Sequence, residues 1–292
     1  MSDENPVIRY YDSSLNHSYS EDYILSIRIL PDGFSFAVLN KSTNKYIALE
    51  SYTYTHKSRR GQVFVSASYL SWLNKILGKQ PLLHQHFSEI VILVGDTPFT
   101  LIPPALFSAA NQEIYLRFNH PVANHEKIFS DILDTPELVI TYSMPVLLSD
   151  WISSCFPGAK RFHITRSLIR SIYTRFKGEK SHDRVFVNIR TSSFDLVVLR
   201  KVQIYYCNTF HYEAPSDLLY YLLFVFEQLH LDTYALLLTL LGDADPNSEM
   251  YELLSKYVQS IDFLTPHNYF SYSHEIPHTS LHKFYDLLNA AL

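Results

Sequence analysis

Glycine is scarce in this chain, at 7 of 292 residues, about a third of the share usual in soluble proteins. Loops that wrap phosphate need close backbone approach and often positive φ, which glycine supplies. Few such loops can be made here. Cysteine is scarcer still: Cys155 and Cys207 are the two present. They exclude a disulfide framework and suit a reducing compartment. Long apolar runs are also missing. The longest, "LLYYLLFVF" at 218–226, falls far short of the ~20 residues of a membrane helix. The opening "MSDENPVIRYYDSSLNH" is polar and has no signal-peptide stretch. A cytoplasmic, soluble protein without a membrane span is therefore expected. The formal charge of −5 gives no global pull toward nucleic acid or acidic membranes.

Aromatic residues are plentiful, with 22 Tyr and 19 Phe, and apolar residues make up 47%. Such a chain folds around a large core, and its length suits two domains. Strand signals come first: "DYILSIRIL" (22–30), the turn "PDG" (31–33), "FSFAVLN" (34–40) and "KYIALESYTY" (45–54). Tight connections make these an antiparallel meander. Helix "SASYLSWLNKIL" (66–77) has Ser66 as cap and leads to strand "SEIVILVGD" (88–96). Residues 97–135 read as an insertion, with a short helix near 103–110 and a strand at "EIYLRF" (113–118). Strand 137–143, helix 145–156, strand 160–165 and helix 167–176 follow, and the polar "KGEKSHD" (177–183) marks a boundary. The pattern then restarts: strands 184–190, 194–200 and 204–212, helix 215–231, strand 234–243, helix 248–259, strand 261–264 and a C-terminal helix over 279–292.

The two parts share one grammar, three strands, helix, strand, helix, strand. "FSFAVL" at 34–39 lies over "FDLVVL" at 194–199, and "VGD" at 94–96 echoes "LGD" at 241–243. The expected fold is α/β: a duplicated ribonuclease-H-like plan of two βββαβαβ halves with mixed sheets and an interdomain cleft. Residues 1–178 form the first half and 179–292 the second. This order, with "FVNIRTSSFDLVVLR" (186–200), resembles the actin-like ATPases across nearly the whole length. More narrowly, it resembles an uncharacterised bacterial family, mainly of Bacteroidetes, with an actin-like ATPase fold. A more distant resemblance is to actin-like pilus-assembly proteins.

The resemblance implies three phosphate or nucleoside sites, and this chain departs from each. The first hairpin should carry Asp-x-Gly, but "SIRIL" (26–30) has neither, and its turn holds Pro31 and Asp32. Pro31 has no N–H to donate. In the second hairpin Asn188 stands where Asp is expected and Arg190 where Gly is expected. Asn188 cannot act as a base. Arg190, Thr191, Ser192 and Ser193 could still meet an anion, or form an ordinary turn. The third site keeps one glycine, Gly242, beside Asp243 and Asp245, and Asp245 suits a helix cap before Pro246. Three sites degraded together argue against ATP hydrolysis. The expected protein is a non-catalytic actin-like scaffold or binding module with a protein partner and no required cofactor, ATP with Mg being disfavoured. Asn188, Arg190, Thr191, Ser192, Ser193 and Gly242 are its vestigial cleft positions. The alternatives are a divergent nucleotide-binding ATPase or kinase, and a nucleic-acid binder using the basic stretch 159–180, where Arg166 and Arg170 share a helix face. His278 and His282 are helical neighbours that could bind zinc, with Glu275 or His267 as a third ligand, but a surface pair explains them as well. No metal site is assigned. No P-loop, nucleophile elbow or clustered strand carboxylate is present.

Overall fold

A computed structural model describes residues 4–16, 21–55, 65–179, 183–264 and 269–292. Its chain divides into two compact units, one of residues 1–167, 268–277 and 286–292, the other of 168–267 and 278–285.

In the first unit β1 (Ile8–Tyr11), β2 (Tyr23–Leu30), β3 (Gly33–Asn40) and β4 (Lys45–Thr53) precede helix α1 (Ala67–Lys79) and β5 (Glu89–Val94). Ser66 caps α1 by accepting the Tyr69 N–H, as its sequence position predicts. Then come β6 (Phe99–Ile102), α2 (Gln112–Asn119), β7 (Glu126–Asp134), β8 (Glu137–Pro145), α3 (Val146–Cys155), β9 (Lys160–His163) and α4 (Ile164–Phe176). The second unit continues with β10 (Arg184–Ile189), β11 (Ser193–Arg200), β12 (Gln203–His211), α5 (Pro215–Gln228), β13 (Leu237–Gly242), α6 (Glu249–Leu254) and β14 (Ser260–Phe263). Two short elements, β15 (Ser271–Tyr272) and α7 (His278–Leu281), complete the chain.

The main sheet of the first unit runs β1-β4-β3-β2-β5-β9, and that of the second β12-β11-β10-β13-β14. Each core is a third, second, first, fourth, fifth order. First and second strands are antiparallel, and first and fourth parallel, in both. The likeness reaches irregularities. The register slips between Val38 and Leu39 in one sheet and between Val198 and Leu199 in the other. A bulge at one place in both meanders fixes the same local twist.

Both faces of the second sheet are covered. Leu218, Leu222 and Phe226 of α5 pack with Val185, Val187 and Leu238 on one side. Leu168 and Ile172 of α4 pack with Phe186 and Val197 on the other. Covering on two sides explains why the strands read as continuous apolar runs.

Two expected elements need correction, at 113–118 and at 279–292. "EIYLRF" is helical, within α2, where Leu116 is buried and Glu113 pairs with Arg117 one turn on at 2.6 Å. The strand expected at 137–143 is β8, and it pairs with β6 and β7 in a separate three-stranded sheet. The compact units divide within α4, after Ser167, and the C-terminal residues 286–292 belong with the first unit. No long helix covers 279–292. The chain forms α7 and then a 3₁₀ turn, Leu287–Asn289. The Asp286 carboxylate accepts the Leu287 N–H at 2.7 Å and starts that turn anew, an Asp-capped restart that ends the first helix.

Candidate functional site

The second hairpin begins where β10 and β11 part. Ile189 pairs with Phe194, and the Arg190 N–H donates to the Ser193 carbonyl at 2.8 Å. This closes a short turn with Thr191 and Ser192 exposed at its tip. Arg190 does not point out with them. It is 6% exposed, and its Nη2 donates to Asp195 Oδ1 at 2.8 Å while Nη1 meets Oδ2. Its Nε donates to Ser193 Oγ at 3.0 Å.

Asp195, fully buried, collects further donors. Asn188 Nδ2 reaches Oδ2 at 3.1 Å, and Thr209 Oγ1 reaches Oδ1 at 2.7 Å. Burial alone would push this carboxyl up. The Arg190 charge and these hydrogen bonds outweigh it and hold Asp195 below the usual carboxylate range. The pair is thus a forked, charge-assisted contact closed upon itself. Tyr212 locks the turn by donating its hydroxyl to the Arg190 carbonyl at 2.6 Å.

Gly242, at the end of β13, presses against the same place. Its φ is +80°, and a Cβ there would stand 2.0 Å from the Ile189 carbonyl oxygen and 2.7 Å from Asn188 Oδ1. Only glycine fits. The following loop satisfies itself. The Asp243 N–H donates to Ile189 O at 2.7 Å, and Asp245 Oδ1 accepts the Asn247 N–H at 2.8 Å. The cap of α6 is Ser248, which accepts the Tyr251 N–H. Asp245 sits three residues earlier and shapes the turn, a correction to the expected cap. Beside this loop lies a cavity of about 100 Å³ lined by residues that include Ile189, Tyr212, Asp243, Asp245 and Tyr251. Small-molecule pockets usually measure about 300–1,000 Å³.

The first hairpin is equally closed. Leu30 pairs with Gly33 around Pro31 and Asp32. A Cβ on Gly33 would meet the Tyr52 carbonyl oxygen at 2.5 Å, so the glycine serves strand packing. Two positions before the turn, Arg28 is buried and pairs with buried Asp286 at 2.8 Å.

Asn188, Arg190, Ser193 and Gly242 therefore come together, while Thr191 and Ser192 stay at the exposed tip. Sequence reasoning missed Asp195, Thr209, Arg28 and Asp286. A signal existed for two of them: Asp195 and Arg28 are single charges inside apolar strands, "FDLVVLR" and "YILSIRIL". Such charges need a partner when buried.

The other candidates disperse. His282 Nε2 lies 3.1 Å from the Ala244 carbonyl, and its ring meets Phe263 edge-on. His278 is exposed, and exposed His274 pairs with Glu275 at 2.9 Å. His267 lies outside the described residues. Among the described residues no group of three His, Cys, Asp or Glu could hold a metal. In the basic stretch, Arg161 lies over Phe129 at 4.3 Å and Arg166 over Phe162 at 3.9 Å. Half-buried aromatic faces take these cations. Among the described residues no helix is long and apolar enough to cross a membrane.

Two main sheets of one strand order, each with a hairpin at its centre, define an actin-like ATPase fold. Solved structures share it. A Bacteroides thetaiotaomicron protein with an actin-like ATPase fold and unknown function is 20% identical, with 86% of this chain and 94% of that one covered at a TM-score of 0.75. The PilM–PilN type IV pilus biogenesis complex contains a chain 12% identical, covering 92% of this chain and 97% of that one at a TM-score of 0.62. The chain belongs to the family described as protein of unknown function (DUF3822), whose model matches residues 12–261. No curated protein matches it.

Proposed function

We propose that this protein is an actin-like module without ATPase activity that serves as a binding or scaffold protein. The observation that carries this reading is the Arg190–Asp195 pair. The cation at the turn of the second hairpin, Arg190, is consumed by a buried carboxylate that Asn188 and Thr209 also serve. A phosphate entering there would have to displace a fully hydrogen-bonded ion pair, which is costly. The small cavity beside Gly242, with Asp243 and Asp245 in its wall, disfavours a nucleotide on both size and charge. Neither Mg nor ATP has a suitable donor set in these residues, so no catalytic step is assigned. The likeness to a chain of the PilM–PilN complex supports a protein partner.

Calorimetric titration with Mg-ATP tests the reading. No saturable heat is expected with ATP raised to about 1 mM, an affinity of only some −4 kcal/mol. Tighter binding that Asn188→Ala abolishes overturns the proposal.

A further inference from the structure

The outer edge of the third strand differs between the two sheets. In the first, β4 is covered. β1 pairs antiparallel along Ala48–Ser51, and β15 pairs parallel at Lys45 and Tyr46. In the second, β12 pairs with β11 and, among the described residues, with no other strand. An open edge offers a row of N–H and C=O groups, which proteins usually blunt with proline, lysine or a bulge. Strand β12, "QIYYCNTFH", has neither proline nor lysine, and its one bulge lies near its start, at Tyr205.

Its surroundings fit an added strand. The Tyr212 N–H donates inward, to Ser192 O at 3.1 Å. By strand alternation the N–H groups of His211, Thr209 and Cys207 face outward, and that of Thr209 is met by the Asn208 side-chain oxygen at 3.0 Å, which an added strand would displace. An aromatic ladder leads from buried Phe194 through Phe210 on β12 to Tyr221, Tyr220 and Phe224 on α5, with ring centroids 5.1–6.3 Å apart. Its outer members are exposed, 63% at Tyr220 and 48% at Phe224. Exposed aromatics beside an open strand edge mark a contact surface.

We infer that β12 is the seam of a two-fold dimer, in which a second copy of this chain adds its own β12 antiparallel to the first. The occupied edge of β4 shows that this position in the fold accepts an antiparallel strand. Charge selects the second copy. Lys201 and Glu213 are both exposed and lie at equal sequence distances on either side of Cys207. A two-fold centred on Cys207 sets the Lys201 turn of each copy beside Glu213 of the other, so the attraction occurs twice. The helices α5, which lie over β12 on one face, then flank the seam together and bring their aromatic ridges onto one surface.

Sedimentation of the full chain tests this across about 1–100 µM, because a dimer's population follows mass action. A concentration-dependent monomer–dimer equilibrium is expected. Lys201→Glu or Glu213→Lys alone weakens the dimer by roughly ten-fold, since each replaces two attractions by two repulsions. The double reversal restores it. His211→Pro leaves the β11 ladder intact and removes the dimer, because an edge proline bars a new strand. Monomer at every concentration, or single reversals that leave the dimer constant unchanged, overturns the inference. These outcomes are independent of the Mg-ATP titration, so failure here does not decide the proposal about catalysis.

Discussion

Arg28, Ser35 and Ser51 lie side by side across β2, β3 and β4, and Asn188, Asp195 and Thr209 lie side by side across β10, β11 and β12. Each row is a polar stripe through an apolar sheet, at matching places in the two units. Both are neutralised by an Arg–Asp pair, but from opposite directions. In the first row the strand supplies the guanidinium, and Asp286, far along the chain, supplies the carboxylate. In the second the strand supplies the carboxylate, and Arg190 in the adjoining turn supplies the guanidinium. Ser35 and Ser51 meanwhile bond each other at 2.9 Å. One topology thus tolerates a charge of either sign at its centre, provided a counter-charge reaches it. The second unit solves the problem locally, whereas the first needs its C-terminal segment to fold back.

The comparison breaks most sharply at Arg190. Arg190→Met strands a fully buried Asp195 and should cost about 3–5 kcal/mol in urea unfolding. Arg190→Lys keeps the charge but loses the fork, and should recover part of that loss. Arg28→Met should cost less, about 2–4 kcal/mol, because Arg28 meets Asp286 through Nη1 at one oxygen whereas Arg190 forks onto both oxygens of Asp195. A larger loss at Arg28 than at Arg190 would reverse the ranking of local and long-range pairing. Gly242→Ala introduces both left-handed strain and a clash with Ile189 O, with an expected cost of about 1–3 kcal/mol in the same assay.

Much of this architecture is legible from residues alone. The strand triplets, the Ser66 cap and the echo of "FSFAVL" in "FDLVVL" reflect local alternation and turn chemistry, which a linear reading can follow. The insertion is less legible. In "EIYLRF" the β-prone Ile, Tyr and Phe mislead, and only packing of Leu116 shows the helix. The closed site was half visible. Asn188 and Arg190 stand out against the family pattern, yet nothing local tells whether Arg190 faces an anion or Asp195. For Arg28 the partner is 258 residues away, beyond any local pattern. A 14-residue apolar stretch at the C-terminus reads as one helix until Asp286 is given that partner.

The three-stranded sheet of β6, β7 and β8 has no counterpart among the described residues of the second unit, and pH offers a way to probe its attachment within the first. Asp131 on β7 is buried and accepts the N–H of His163, at the end of β9, at 2.7 Å. Burial pushes its carboxyl up to about 7, against a pull downward from the His163 N–H, Arg166, Tyr142 and Arg161. In the unfolded chain the same group returns to its ordinary value near 3.8. Between these two values the folded protein holds a proton that the unfolded chain has released. Stability from this group is therefore full below about 3.8, falls as pH rises between the two values, and is lost by about 7. Asp131→Asn keeps an acceptor for the His163 N–H and removes the titration. The advantage of the variant over the parent should grow by about 2–3 kcal/mol between pH 5 and pH 7, at ~1.4 kcal/mol per pH unit, and then level off. Thermal unfolding of both proteins across that range reads the difference directly. A difference that stays constant with pH would mean that Asp131 is ionised in the fold, held by Arg161 and Arg166 as a third buried Arg–Asp contact instead of a neutral strut.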